Sequence, residues 1–206
     1  MLFRSDDHAF DALSAWCQNK KEWLFGHFNY PSSQKDPIGF PQINFFIPEI
    51  LIIIKGSVVV IQTKNIDPKT VFTQIENQHS LIDEVEVNLD IQSRITESEY
   101  LDTVIKLKQH IQRGDCYEIN FCQEFFAENA PVNPCAVFKK LNSISPNPFA
   151  VFYRINKHYC ICASPERFLQ KKGNTIISQP IKGTSKRNYE SNAEDEKSKS
   201  YLFNSE

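Results

Sequence analysis

The chain is poor in methionine and glycine and has no long hydrophobic run, and each shortage argues against a class of protein. Its 206 residues include a single Met against sixteen Phe, which favours a well-specified aromatic core. With only six Gly, no segment resembles a Gly-rich phosphate-binding loop. The most apolar run, residues 50–54, ends at Lys55 and is far too short to span a bilayer. Residues 1–7 lack the apolar stretch of a signal peptide.

Net charge and paired cysteine motifs are lacking as well. The 23 Lys and Arg side chains nearly balance 25 Asp and Glu, so there is no basic surface for nucleic acid and no polybasic membrane signal. None of the six Cys forms a Cys-x-x-Cys motif, and no Cys/His group has zinc-binding spacing. Cys160 and Cys162, two apart on a predicted strand, have poor geometry for a disulfide. We therefore expect reduced thiols in a cytoplasmic protein that binds neither nucleic acid nor a membrane.

Apolar periodicity predicts an N-terminal part that is rich in strands. Residues 9–19 have the spacing of a short helix, and 23–28 that of a strand. The β-branched residues of 47–62 predict a hairpin with its turn at 55–57, and their continuous apolarity favours well-covered central strands. Residues 64–95 are polar and weakly periodic, which indicates a connecting excursion with a short helix near 71–78.

Stronger signals begin at Thr96, which forms a capping box with Glu99 and opens a helix that ends at Gly114. Strict alternation over 117–125 predicts a strand, and a helix is predicted from Pro134. Four short strands follow, at 149–155, 159–163, 167–170 and 175–179. Turns at 156–157 and 173–174 favour antiparallel pairing. The pattern predicts an α+β fold, mainly antiparallel β-sheets flanked by helices.

Four short segments carry a resemblance to a known family. They are Gly-Asp-Cys-Tyr-Glu-Ile-Asn at 114–120, Asn-Pro-Phe at 147–149, Ser-Pro-Glu-Arg-Phe-Leu at 164–169 and Pro-Ile-Lys-Gly-Thr at 180–184. In these segments the chain resembles the chorismate-utilising enzymes, strongly over 97–187 and more weakly over 1–63. The resemblance implies an incomplete part of that fold, its N-terminal half. We expect a β-rich subdomain with its linker excursion at 1–95, and the truncated first part of a chorismate-binding catalytic region at 96–206.

Lys182, at the third position of the Pro-Ile-Lys-Gly-Thr box, distinguishes between the reactions of this family. Lys at this position resembles the aminodeoxychorismate synthases, whereas anthranilate synthases usually carry Ala. The resemblance implies that Lys182 is the nucleophile, which must be neutral to attack, so burial or a nearby cation must lower its pKa. Without the surrounding box, an exposed Lys beside a turn would be the simpler interpretation.

The resemblance assigns further roles near Lys182. Glu166 would protonate the leaving hydroxyl, although a solvated carboxylate at a strand end is the ordinary alternative. Gly183 and Thr184 would form a substrate-binding cradle for a carboxylate, where an ordinary β-turn is the alternative. Arg187 is expected either near this cradle or in solvent. We expect Glu166, Lys182 and Thr184 to face one concave cavity.

A second set of residues resembles the family's tryptophan pocket, which lies away from the catalytic centre. It comprises Tyr117, Asn120, Pro148 and Phe149. Glu118 departs from the Gln that is common at its position, so whether tryptophan binds here is left open.

The function implied is amination of chorismate to 4-amino-4-deoxychorismate, a folate and para-aminobenzoate precursor. A separate glutaminase subunit would supply the ammonia, and Mg2+ would be held by ligands expected beyond residue 206. The alternatives are anthranilate synthase component I, isochorismate synthase, or a non-catalytic half-domain that binds a partner or an aromatic ligand. Residues 1–206 alone are expected to be inactive.

Overall fold

The structure is a computed structural model that describes residues 2–4, 9–18, 21–29, 38–78, 88–181, 183 and 185–204. The helices in these ranges are α1 Ala9–Cys17, α2 Pro68–Glu76, α3 Glu97–Arg113, α4 Pro134–Ile144 and α5 Asn192–Phe203. The strands are β1 Leu2–Arg4, β2 Phe25–Phe28, β3 Ile43–Phe46, β4 Ile50–Lys55, β5 Val58–Thr63, β6 Gln92–Ser93, β7 Phe125–Phe126, β8 Phe149–Ile155, β9 His158–Ser164, β10 Arg167–Lys172 and β11 Thr175–Gln179. Every pairing between them is antiparallel, which confirms the predicted α+β class.

Strand β3 is the centre of the N-terminal sheet, with β1 and β2 on its two sides. It contains the buried Ile43 and the most deeply buried large side chain among the described residues, Asn44, which is 2% exposed. A buried amide in an otherwise apolar strand needs hydrogen-bond partners, and Asn44 has one on strand β8. The core of this sheet is therefore built around a polar contact as well as around aromatic rings.

Strands β4 and β5 form the predicted hairpin, with Gly56 at its turn in the left-handed region (φ 58°). The expectation that these strands are central and well covered is wrong. Within the described ranges they pair only with each other, and Ile54 is 70% exposed. Helix α2 contacts β5 and buries Val71, while the side chains of Ile50, Ile52 and Ile54 on β4 and of Val58, Val59 and Val60 on β5 stay exposed. Within the described residues this hairpin is therefore only partly covered.

The hairpins β8–β9 and β10–β11 confirm the predicted strands and turns. Asn156 and Gly173 adopt the left-handed conformation at the two tight turns (φ 52° and 56°). The β8–β9 ladder is regular over seven pairs, whereas β10–β11 shifts register between Arg167 and Gln170. That irregularity lies at the Ser-Pro-Glu-Arg end of the second hairpin.

The helix predicted after Thr96 is present, with both hydrogen bonds of the capping box and Gly114 as a left-handed C-cap (φ 82°). The strand predicted over 117–125 is wrong for most of its length. Only Phe125–Phe126 is a strand, paired with Gln92–Ser93. Alternation favours an extended chain, but a strand also needs a partner, and the described residues supply one only at this end.

Contacts divide the chain into two compact units, one of Met1–Leu81 with Leu141–Glu206 and one of Ile82–Lys140. The N-terminal sheet, all three long hairpins and α5 belong to the first unit, and α3 with the β6–β7 pair belongs to the second. The division of the sequence into 1–95 and 96–206 stays a prediction.

Candidate active site

The candidate site is built at one end of the hairpins β8–β9 and β10–β11. Phe149 lies opposite Ser164 in the first ladder, and Arg167 lies opposite Gln179 in the second. The Arg167 guanidinium carbon lies 5.1 Å from the centre of the Phe149 ring, a cation–π contact that joins the two hairpins. Arg167 Nη1 also donates to the side-chain oxygen of Gln170. Sequence reasoning gave Arg167 no role of its own, although it lies within the Ser-Pro-Glu-Arg-Phe-Leu segment.

Glu166 occupies the tight connection between β9 and β10. The Ser164 hydroxyl accepts a hydrogen bond from the Glu166 backbone N–H (3.3 Å) and donates to the Glu166 carbonyl oxygen (3.0 Å). These bonds fix the backbone at Glu166, and the residue itself is exposed. A carboxyl group on a fixed backbone at a strand end can deliver a proton to a group bound beside it, and its role as the acid stays a prediction.

The Pro-Ile-Lys-Gly-Thr box begins at the same end of the β10–β11 ladder. Because Arg167 pairs with Gln179, Glu166 and Pro180 both lie one residue beyond that pair. The register therefore starts the box beside Glu166, as expected if both serve one site. Lys182 and Thr184 lie outside the described residues, so the shared cavity expected for them stays a prediction.

Gly183 lies against the last turn of helix α5. A Cβ atom at this position would come within 2.9 Å of Leu202 Cδ1, closer than real Cβ atoms approach other heavy atoms. Because Leu202 Cδ1 is the tip of a flexible side chain, a small shift of Leu202 would relieve this approach, so the distance shows that Gly183 lies close to α5 and does not by itself require glycine. The predicted cradle at Gly183 and Thr184 stays a prediction.

Arg187 forms an ion pair with Asp195 in the first turns of α5. Its Nε lies 2.9 Å from both carboxylate oxygens of Asp195, and its Nη2 lies 2.8 Å from Oδ2. The hydrogen bond from Arg187, together with one from the backbone N–H of Asn188, lowers the pKa of Asp195. The same hydrogen bond raises the pKa of Arg187. The Arg187 side chain is 66% exposed, as in the second of its two expected positions, but its charge is paired with Asp195; whether it lies near the predicted cradle stays a prediction.

The predicted tryptophan-pocket residues belong to different compact units. Tyr117 is 93% exposed and Asn120 is also exposed, both on the irregular segment after α3. Pro148 is exposed and Phe149 is half-buried at the start of β8, where Phe149 contacts Arg167. The pocket stays a prediction.

One polar cluster was not predicted at all. The Tyr153 hydroxyl accepts a hydrogen bond from Asn44 Nδ2 (2.8 Å) and lies 3.1 Å from His27 Nδ1. His27 Nε2 donates to the carbonyl oxygen of Pro41 (2.9 Å), which leaves Nδ1 as an acceptor for the Tyr153 hydroxyl. The cluster connects the N-terminal sheet to strand β8. An Asn within the apolar run of β3 was the one signal that pointed to it.

Two structural features bear on cofactor and membrane expectations. No cluster of three or more His, Cys, Asp or Glu side chains in the described part of the chain has an arrangement that could hold a metal ion. These residues do not by themselves fit a magnesium site, and the expected position of its ligands beyond residue 206 stays a prediction. Among the helices described, none is both long and apolar enough to cross a membrane.

Comparisons with known proteins identify the family and several relatives. The family described as chorismate binding enzyme matches residues 6–206. Aminodeoxychorismate synthase component 1 of Bacillus subtilis (strain 168) is 32% identical over 111 residues, 54% of this chain and 23% of that protein. An anthranilate synthase component I-like protein of Synechocystis sp. (strain ATCC 27184 / PCC 6803 / Kazusa) is 27% identical over 159 residues, 75% of this chain and 33% of that protein.

A solved structure shares the fold. Anthranilate synthase component I from Streptococcus pneumoniae TIGR4 superimposes with a TM-score of 0.69 at 18% identity, covering 84% of this chain and 47% of that chain. At this identity the match establishes the fold alone. The chain thus spans about half of the solved neighbour and a quarter to a third of these two curated relatives.

Proposed function

The chain belongs to the family of chorismate-binding enzymes, and from that premise we propose that the protein carrying it converts chorismate and ammonia into 4-amino-4-deoxychorismate and water. The observation that carries this proposal is the pairing of Arg167 with Gln179. Because of this pairing, the Lys-containing box begins at Pro180, one residue after Gln179, at the strand end where Glu166 lies. A lysine at the third position of the box separates this reaction from that of relatives with Ala there.

In the proposed reaction Lys182 and Glu166 act in succession. The neutral Nζ of Lys182 forms a bond to the unsaturated ring carbon that carries no leaving group. The ring electrons shift and the distant C–O bond to the ring hydroxyl breaks, while Glu166 donates the proton with which that oxygen leaves as water. Ammonia then adds to the carbon that lost the hydroxyl, and Lys182 departs with the electron pair of its bond.

The remaining residues of the box bind rather than react. Consecutive backbone N–H groups at Gly183 and Thr184, with the Thr184 hydroxyl, suit one of the two carboxylates of chorismate. A glutaminase subunit is the proposed source of ammonia. No step is assigned to Mg2+, because the described residues assemble no site for it.

Anthranilate synthesis is the second candidate. The relative that covers the largest share of this chain among those described above is named anthranilate synthase component I-like, and the solved neighbour is an anthranilate synthase component I. The same site without an enzyme amine would leave direct attack by ammonia at the carbon that Lys182 otherwise occupies. Lys182 itself favours the first reaction.

Substitution of Lys182 separates the two candidates. In the complete enzyme we expect Lys182→Ala to lose 4-amino-4-deoxychorismate, with residual activity shifted toward amination of the other carbon. Chromatography of the products from chorismate and ammonium measures this, and intact mass of the unsubstituted enzyme should show a substrate-sized adduct. The control is Lys186→Ala, an exposed lysine four residues away, which should keep the product unchanged. Wild-type rates of 4-amino-4-deoxychorismate formation by Lys182→Ala would remove Lys182 as the nucleophile.

Glu166 is tested in the same assay. Glu166→Gln keeps the shape of the side chain but has no proton to donate, so we expect turnover to fall about 10²–10⁴-fold with little change in binding. A decrease of less than about threefold would remove Glu166 from the acid role, given that expected share.

A further inference from the structure

We propose that Arg187 and Asp195 form a brace that positions the Lys182-bearing box on helix α5. The inference rests on the proposed function in one respect, the catalytic use of Lys182. The brace is defined as the ion pair of Arg187 with Asp195 together with the hydrogen bonds that Asn188 makes to Asp195 and Glu194.

The ion pair has the geometry of a strong contact. Three N–O distances between Arg187 and Asp195 fall within 2.8–2.9 Å, so the guanidinium meets both carboxylate oxygens. Its Asp195 side chain is 16% exposed and its Arg187 side chain 66%. Isolated exposed pairs contribute little, but two-point contacts within a network are the exception. This pair is both two-point and part of a network.

Asn188 provides the rest of that network. Its backbone N–H donates to Asp195 Oδ1 (2.9 Å), and its side-chain amide donates to Glu194 Oε2 (2.6 Å). Its own side-chain oxygen accepts from the backbone N–H groups of Glu190 and Ser191 (3.0 and 3.1 Å). Asn188 therefore fixes the connection into α5, whose N-cap is Ser191.

A second contact between the box and α5 lies in the last turn of the helix. Gly183 packs against Leu202, which lies seven residues after Asp195 and about two helical turns further along. Gly183 and the Arg187–Asn188 pair are thus in contact with opposite ends of α5. Lys182 is bonded directly to Gly183, so restricting Gly183 restricts where the amine can lie.

This attachment answers a requirement of the chemistry. A nucleophile gains its largest advantage when it is held near the reacting carbon before the reaction, and small displacements cost large factors in rate. Arg187 and Asp195 touch neither substrate nor reacting atoms in this proposal. They are positioning residues that act through the backbone between Gly183 and Asn188.

Asp195→Asn tests the brace, because it removes the charge and keeps the shape. The matched control is Glu196→Gln, which removes one charge from the next residue; Glu196 pairs with Lys199 on the helix surface (3.1 Å), and its attraction to Arg187 is weaker than that of Asp195. We expect Asp195→Asn to raise amide hydrogen exchange over residues 183–188 about three- to tenfold, and Glu196→Gln to change it less than twofold. Arg187→Gln should match Asp195→Asn, while Arg187→Lys, which keeps the charge, should recover part of the effect.

A second measurement reports Lys182 itself. Labelling of its amine by an acylating reagent, followed by peptide mass spectrometry across a pH series, gives its rate and apparent pKa without any substrate. We expect Asp195→Asn to move the Lys182 profile toward that of the same residue in a short unfolded peptide, with the labelling of lysines outside residues 182–188 unchanged, whereas a general loss of folding would change labelling throughout the chain. Circular dichroism identifies any variant that has lost its helices, and Arg187→Lys then carries the test.

The outcomes separate the brace from the proposed function. Unchanged exchange and an unchanged Lys182 profile in Asp195→Asn overturn the brace, whatever the enzyme makes. If these readouts change while the complete enzyme makes no 4-amino-4-deoxychorismate, the brace stands and the proposed function fails. If both hold, kcat for chorismate should fall about three- to tenfold in Asp195→Asn with KM nearly constant, since the pair positions the nucleophile and does not bind substrate.

Discussion

At the scale of single residues, the most deeply buried large side chain in the described part of the chain is a polar one. Asn44 is buried in a strand of apolar neighbours, and its amide donates to the Tyr153 hydroxyl. His27 completes the contact, and its ring also stacks edge-on with that of Tyr153. A buried hydrogen-bonded group costs little when satisfied and much when a partner is removed. The cluster therefore specifies how strand β8 meets the N-terminal sheet.

Tyr153→Phe tests this cluster by removing only the hydroxyl. The substitution removes the hydrogen bond that Asn44 donates to the hydroxyl and the one that the hydroxyl donates to His27. We therefore expect a loss of about 1–3 kcal/mol in the free energy of unfolding. Tyr159→Phe, one strand away on β9 and with ring contacts to Phe152 and Arg154, is the control and should change stability by less than about 0.5 kcal/mol. Urea unfolding followed by fluorescence measures both. Equal stability of the two variants would contradict a structural role for the cluster.

At the scale of elements, two glycines in the first compact unit serve different purposes. Gly26 on β2 has no room for a side chain, because a Cβ atom would lie 2.0 Å from the Asn44 carbonyl oxygen and 2.7 Å from Phe45 Cα. Gly56 has open space around it but needs the left-handed conformation at the β4–β5 turn. One glycine permits close approach of strands, and the other permits a turn.

We therefore expect Gly26→Ala and Gly56→Ala to differ in size and kind. Gly56→Ala should cost about 1–2 kcal/mol of unfolding free energy, the strain of an L-residue in this region. Gly26→Ala meets backbone atoms that cannot rotate away, so β2 must separate from β3, and the loss should exceed that of Gly56→Ala. The measurement is unfolding free energy together with amide exchange at residues 25–28 and 43–46. Protection of these amides in Gly26→Ala equal to that of the unsubstituted chain would contradict the clash.

Helix α5 should respond to acid through Asp195. Its pKa is lowered by Arg187 and the Asn188 N–H, so the folded state holds the carboxylate more strongly than the unfolded chain does. The stabilisation is therefore complete above the ordinary Asp pKa of about 3.9 and is lost as pH falls through the lowered value. We expect the stability difference between the unsubstituted chain and Asp195→Asn to be constant from about pH 7 to 5 and to shrink below about pH 4. A difference that grows on acidification would contradict this assignment.

The same elements show what the sequence could predict. The hairpin turns at Gly56 and Gly173 and the Thr96 capping box depend on neighbouring residues, and all three are found as predicted. Helix α5 was missed because its helicity comes from the Ser191 cap and polar contacts rather than from an apolar stripe. The strand over 117–125 failed because alternation does not supply a partner. His27 and Tyr153 are 126 positions apart, and no local pattern could bring them together.

In the candidate site, too, features set by neighbouring residues could be predicted and features set by tertiary packing could not. The local motifs predicted that Glu166 and the start of the Lys box stand at strand ends, and the register places Glu166 and Pro180 at one end of β10–β11. The Arg167–Phe149 contact and the attachment of Gly183 to Leu202 depend on tertiary packing. They became visible only in the structure.

At the scale of the whole chain, apolar surface remains open on the described residues of the β4–β5 hairpin. The solved neighbour is matched over 47% of its length, and this chain presents the β4–β5 hairpin with exposed side chains on β4 and β5. Ile50, Ile52 and Ile54 alternate on one face of β4, with Val59 directly opposite Ile54. A flat apolar strand pair without partners is a site of self-association unless something covers it.

We therefore expect a polypeptide of residues 1–206, purified by itself, to associate as its concentration rises, and Ile54→Lys to reduce that association. A lysine on this exposed apolar strand surface, near the turn of the hairpin, disfavours edge-to-edge and face-to-face pairing. The matched control is Ile144→Lys, because Ile144 is equally exposed, 70%, but lies at the end of helix α4 rather than on a strand. Sedimentation velocity over a tenfold or greater concentration range, with binding of a hydrophobic dye, measures the effect. If Ile144→Lys reduces association as much as Ile54→Lys does, the apolar strands are not the contact, and general apolar exposure governs association instead.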